Sequence, residues 1–232
     1  MLLIRGGKIK PIVGEEMENG ELLIGDDGKI AAIGQKEDAP EGVEVLDASG
    51  CLVTPGFIDA HCHIGIDEEG VRWEGNDTNE YSSPVTPELR AIDGINPRCE
   101  AFANALAGGV TTAVTGPGSA NVLGGSFVAL KLYGDCVDDM VVKYPAAMKI
   151  AFGENPKGCY GQNGKKEPVT RMAIAAMLRA AGTVAAFLGD RLIASGALGG
   201  IRLKYESVWE GLLLCGGLSL MLIGAWLTAS LI

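Results

Sequence analysis

The chain has 232 residues, 47% of them hydrophobic and 21% charged, a balance that belongs to a folded globular protein rather than a disordered one. Its formal net charge is −10, which excludes the clustered Lys and Arg footprint of a nucleic-acid binder. From Ala180 onward Asp190, Glu206 and Glu210 balance Arg191, Arg202 and Lys204, so the whole excess of acid lies before that point and the chain divides into regions of different character. Glycine is abundant, at 34 residues, but follows no collagen-like or linker period. The cysteines Cys51, Cys62, Cys99, Cys136, Cys159 and Cys215 form no C-x-x-C pair and no disulfide-like spacing. Met1-Leu2-Leu3-Ile4-Arg5-Gly6-Gly7 is too short in its apolar run for a secretory signal, so reduced, buried thiols and a cytoplasmic location are expected.

Residues 1–54 read as short strands and tight turns. Leu2–Ile4, Glu21–Ile24, Lys29–Ile33 and Val43–Leu46 are β-compatible runs, and Asp27-Gly28 between two of them predicts a hairpin because both residues tolerate positive φ. No helical period interrupts them, which predicts a small β-sandwich. Past Pro55-Gly56 the run Phe57-Ile58-Asp59-Ala60-His61 reads as a strand. Asn96-Pro97 carries the N-cap and first-turn signature of a helix that Gly108-Gly109 ends, and Val110–Thr115 reads as a buried strand. Strand, helix, strand in succession predicts a parallel sheet or barrel. Further strands are expected at Phe127–Leu132 and Ala146–Phe152, and a helix from near Pro168 through Ile174–Leu178. Gly211–Ile232 carries no charge; as a helix it would extend about 33 Å, enough for the roughly 30 Å apolar core of a bilayer, so it reads either as a membrane anchor or as a buried or aberrant tail.

The chemistry concentrates in Pro55-Gly56-Phe57-Ile58-Asp59-Ala60-His61-Cys62-His63. Alternation along a strand puts Asp59, His61 and His63 on one side and turns Cys62 toward the core. Two imidazoles two residues apart can hold one divalent ion, Zn²⁺ first among them, and Asp59 either orients a ligating imidazole or caps the strand end. His61 and His63 are the only histidines in the chain. The loop Gly116–Gly125 follows a strand and can line a substrate mouth, and Glu68–Ser83, with Trp73 and Tyr81, can cover one. Gly116-Pro117-Gly118-Ser119-Ala120-Asn121 lacks the third glycine of a dinucleotide fingerprint, and neither a P-loop nor H-E-x-x-H occurs.

Val53–His63, together with Asp47-Ala48-Ser49-Gly50 and Ala107-Gly108-Gly109-Val110-Thr111-Thr112, resembles the amidohydrolase superfamily, in its imidazolonepropionase-like and prolidase-like branch. The resemblance runs over roughly residues 1–179. It implies an α/β fold in which a small N-terminal β-sandwich precedes a (β/α)8 barrel entered at a strand ending in H-x-H. It also implies metal-dependent hydrolysis of a C–N bond in a cyclic amide or peptide-like small molecule, where a divalent ion activates water and polarises the carbonyl. Lys149 would be the lysine that becomes carbamylated, with Glu154 as the rival carboxylate ligand. The family's two later histidines and its last-strand Asp have no counterpart. A barrel needs about 250 residues, so residues 55–179 supply about half of one. The expectation is therefore a truncated enzyme, weakly active or inactive as this chain, with residues 180–232 as a hydrophobic tail. The competing readings are a membrane-anchored, non-catalytic binding protein, and an enzyme whose missing ligands come from a partner chain in a homo-oligomer.

Overall fold

A computed structural model describes residues 1–34, 42–164 and 166–194. The chain divides into two compact units between Phe57 and Ile58. In the first, β1 (Leu2–Ile9), β2 (Met17–Ile24), β3 (Ile30–Gly34), β4 (Glu44–Asp47) and β5 (Leu52–Val53) make one sheet in the order β3-β2-β1-β4, with β5 also on β1. The β2–β3 hairpin turns at Asp27-Gly28 as expected. Gly28 takes φ 72°, and Asp27 Oδ1 accepts the amide of Lys29 at 3.1 Å.

The expected sandwich is not what the described residues form. Register breaks after Arg5 and after Gly7 bend β1, so its first half pairs in parallel with β4 and its end pairs in parallel with β5. Both short strands thereby extend one sheet instead of building a second layer. On its exposed surface Lys8 Nζ lies 2.8 Å from Glu18 and 3.3 Å from Glu16, and Lys10 lies 3.0 Å from Glu16.

The second unit holds a sheet in the order β6-β7-β8-β9, from β6 (Phe57–Cys62), β7 (Val110–Thr115), β8 (Leu123–Lys131) and β9 (Val141–Ile150). Between β6 and β7 runs α1 (Glu100–Ala107), the expected strand–helix–strand unit. The helix starts later than Asn96-Pro97 suggests, with Cys99 at its N-cap. Asn96 is committed to a turn before it: its Oδ1 accepts the amide of Arg98 at 3.0 Å, and its Nδ2 donates to Glu68.

From β7 onward the expectation of parallel strands fails. The β7–β8 and β8–β9 pairs are both antiparallel. The joins, residues 116–122 and 132–140, are too short for a crossover helix, and the second holds only the single turn α2 (Val137–Met140). Phe102 of α1 packs with Ala113, Val128, Leu130, Leu132 and Met140 in one buried cluster under this sheet. Burial of such side chains, about 1.5–3 kcal/mol for each large one, fixes β8 against α1.

After β9 come a short helix, α3 (Glu154–Pro156), a π-helical turn (Lys157–Asn163) and α4 (Arg171–Ala194), which passes position 180 without a break. Thr170 opens α4, its Oγ1 accepting the amide of Ala173 at 3.1 Å. Among the described residues no helix is long and apolar enough to cross a membrane. Gly211–Ile232, the segment read as an anchor or tail, lies outside the described residues.

Candidate metal centre

β6 presents His61 and, one step beyond the strand, His63, with ring centroids 5.4 Å apart and planes at 86°. His63 Nδ1 lies 2.6 Å from the carbonyl oxygen of Gly116, just past β7. A carbonyl only accepts, so Nδ1 carries the proton and the Nε2 lone pair is left for a ligand. Thr115 ties the same corner down, its Oγ1 donating to the carbonyl of Ile64 at 2.8 Å.

Lys149, near the end of β9, brings Nζ to 3.5 Å from His61 Nε2. It is buried, at 8% exposure, and among the described residues no carboxylate pairs with it. Burial therefore pushes the amine below the ordinary lysine range. His61 is held below the usual histidine value by burial first, then by the charges of Lys149 and His63, while Asp59 pulls weakly the other way. Uncharged imidazole is the form that binds metals. Cys62 is half-buried on the other side; its thiol, 3.7 Å from the carbonyl oxygen of Val114, is raised above its usual range by burial.

The other expected residues stand apart from this group. Asp59 is exposed, and its Oδ1 accepts the backbone amide of His61 at 3.0 Å, the capping alternative rather than contact with an imidazole. Glu154 is 81% exposed and pairs with Lys157 at 3.3 Å. Among the described residues no three side chains drawn from His, Cys, Asp and Glu come together as a metal cage. The fold thus brings together two imidazoles and an amine, and imidazoles could hold a borderline divalent ion such as Zn²⁺.

Two buried aromatic residues carry no mark in the sequence. Phe127 of β8, 1% exposed, meets the His61 ring edge-on with centroids 5.4 Å apart at 83°. Tyr160 sits in the π-helical turn, its hydroxyl 2.6 Å from Asn121 Oδ1 and 2.9 and 2.8 Å from the carbonyls of Glu80 and Ser83. Nothing in an apolar strand or a glycine-rich turn marks either residue; only the folded neighbours do.

A cavity of about 320 Å³ opens beside the β7–β8 corner. Parts of both loops expected at a substrate mouth line it: Asp77–Glu80 on one side, Pro117-Gly118 and Asn121 on the other, with Arg90 and Asp93 between. His61, His63 and Lys149 are not in its lining, but Pro117 directly follows the Gly116 carbonyl that holds His63. Trp73 and Tyr81, 80% and 62% exposed, are not in it either.

No family model matches the chain. The amidohydrolase tasK of Hapsidospora irregularis is 33% identical over 167 residues, 66% of this chain and 17% of that protein. A dihydroorotase of Citrifermentans bemidjiense is 31% identical over 185 residues, 79% of this chain and 35% of its own length. An allantoinase of Bacillus licheniformis is 51% identical over a shorter stretch of 67 residues. Among solved structures, an amidohydrolase from Thermotoga maritima superposes with a TM-score of 0.77 at 36% identity, over 92% of this chain and 55% of that one. The chain thus spans about a third or less of the curated relatives' length and about half of the solved one.

Proposed function

For a chain that is a relative of the amidohydrolase superfamily, we propose a metal-dependent hydrolase of C–N bonds, with His61 and His63 as ligands to a divalent ion, Zn²⁺ first, and Lys149 as a third. The observation that carries it is the meeting of the two imidazoles and a buried amine that, among the described residues, has no carboxylate partner. The strand–helix–strand piece β6-α1-β7 is the part that would enter a (β/α)8 barrel, and we keep the 1–54, 55–179 and 180–232 division as part of the same proposal.

When bound, the ion would supply a more acidic water and polarise the scissile carbonyl. The Gly116 carbonyl holds His63 in the tautomer that leaves Nε2 free. Burial keeps Lys149 closer to its neutral form, and a neutral amine can attack carbon dioxide. That step forms an N–C bond and releases one proton, leaving a carbamate whose two oxygens would complete a site short of carboxylates. The cavity by Pro117-Gly118 is the proposed place for a cyclic amide or peptide-like small molecule.

With two histidines in 232 residues and no last-strand Asp matched, this chain alone should turn over slowly. Loss of a general base removes roughly 10²- to 10⁴-fold in rate. The test is to assay the pure, Zn²⁺-loaded chain against cyclic amides and N-acyl or prolyl dipeptides, with and without bicarbonate. Bicarbonate-dependent Zn²⁺ retention with weak turnover, abolished by His63→Ala, is expected. A chain that retains no metal in either condition overturns the reading.

A further inference from the structure

We propose that Phe127 is a positioning residue for the metal-binding group: a single buried ring fixes the His61 imidazole, the Lys149 side chain and, through Gly116, the carbonyl that orients His63. The inference rests on the metal-centre reading above.

Phe127 is almost wholly buried, yet it does not belong to the cluster that makes the core of this unit. That cluster takes Val128 and Leu130 from β8, and alternation turns Phe127 to the opposite face. There its ring makes three contacts. Its geometry with His61 is edge-to-face, 5.4 Å between centroids at 83°, an arrangement whose directionality resists rotation of the imidazole. Lys149 Nζ lies 5.8 Å from the ring centroid, so the ring stands beside the amine. The third contact is with backbone. A Cβ on Gly116 would fall 2.3 Å from Cγ and Cδ2 of the ring and 2.5 Å from Cδ1, and Gly116 does not have a positive φ that would by itself require glycine. Glycine stands at 116 because the ring occupies the space of its side chain. The same residue's carbonyl takes the His63 Nδ1 proton, and its amide donates to the carbonyl of Cys62, between the two histidines.

One ring is therefore wedged among every group proposed to hold the ion. Removing it frees His61 to rotate, and lets Gly116 and with it His63 shift. Partners of this kind typically govern metal affinity by roughly 10- to 100-fold.

The test compares Phe127→Leu with Leu130→Ala, a cavity variant on the core face of the same strand, in the full chain. Zn²⁺ affinity is read by competition with a chromogenic chelator, and imidazole nitrogen shifts are read by NMR in the metal-free protein. Phe127→Leu should weaken Zn²⁺ roughly 10- to 100-fold and broaden or move the His61 ring signals. Leu130→Ala should lower the melting temperature while leaving affinity and ring shifts in place. Gly116→Ala, which displaces the ring without deleting it, should reproduce the Phe127→Leu signature and serves if that variant does not fold. Equal affinity in the wild type, Phe127→Leu and Gly116→Ala overturns this inference while leaving the metal reading intact. A wild type that binds no Zn²⁺ overturns both.

Discussion

Lys8 in the first unit and Lys149 in the second are the same side chain in opposite circumstances. Lys8 is exposed between Glu16 and Glu18, whose hydrogen bonds and charges raise its pKa above the ordinary value. Lys149 is buried beside an imidazole and an aromatic ring, with no carboxylate among the described residues, and its pKa is lowered. The first arrangement costs little and does little: solvent already stabilises the charge, and such pairs are screened by salt. The second is unfavourable for folding, because an ammonium is taken from water without a counter-ion. That cost falls in the second unit, where the proposed metal centre lies.

The largest effect should come from the histidines. His61→Ala with His63→Ala should take bound Zn²⁺ after dialysis to background, with circular dichroism unchanged, since neither ring is in the core cluster. Metal retained by the double variant would move the centre elsewhere. Lys149→Met against Lys8→Met sets the two regions directly side by side. Lys149→Met should weaken Zn²⁺ by about 10-fold or more and raise the melting temperature, because a buried amine gives way to an apolar chain of similar reach. Lys8→Met should change neither. A lower melting temperature for Lys149→Met would show that the buried amine is structural.

Alkaline pH singles out the second unit by a different route. Tyr160 is pushed up to about 12, chiefly by burial, from an ordinary tyrosine value near 10. Between those values the unfolded chain loses the proton and the folded one keeps it, so stability is full below about pH 10 and falls as pH rises toward 12. On the acid side Glu16 and Asp47 in the first unit are held below the usual carboxylate range, by Lys10 and Lys8 and by Ser49 respectively, and so are Glu80 and Asp93 in the second, by Ser82 and Arg90. Their contribution is present above that range and is lost as pH falls through it. Thermal melts across pH should therefore show an alkaline loss that Tyr160→Phe flattens. The same variant costs about 1 kcal/mol at neutral pH through the hydrogen bond lost to Asn121. An alkaline slope unchanged by Tyr160→Phe would assign it to another group.

What could be read from the sequence depended on whether a residue's role is local. Asp27-Gly28 turned where expected because a hairpin needs only its own φ preferences, and His61 and His63 come together because a spacing of two brings side chains to one side of extended backbone. Asn96-Pro97 misled because the same Asn that caps helices also closes turns, and here it does the latter before α1. The antiparallel run β7-β8-β9 was hidden because an apolar run looks alike in either direction. Phe127 was invisible for a related reason: β8 is apolar on both faces, so nothing distinguishes a ring against His61 from its core neighbours Val128 and Leu130.

Lys149 and Glu154, five residues apart, were rivals in sequence, and they supply the smallest and sharpest comparison. The end of β9 carries Lys149 to His61, whereas Glu154 lies beyond it, four-fifths exposed, at the start of α3. Among the described residues its side chain bonds to Lys157, three residues on, an arrangement worth about 0.3–0.5 kcal/mol where it is worth anything. Glu154→Gln should therefore leave Zn²⁺ stoichiometry and affinity where they were, with a shift in melting temperature near the limit of detection that disappears in high salt. Combined with Lys149→Met it should add nothing to the metal defect, since residues that share no partner act independently. A metal defect in Glu154→Gln alone, or a larger one in the pair, would make Glu154 a ligand and would require the turn after β9 to fold back toward His61.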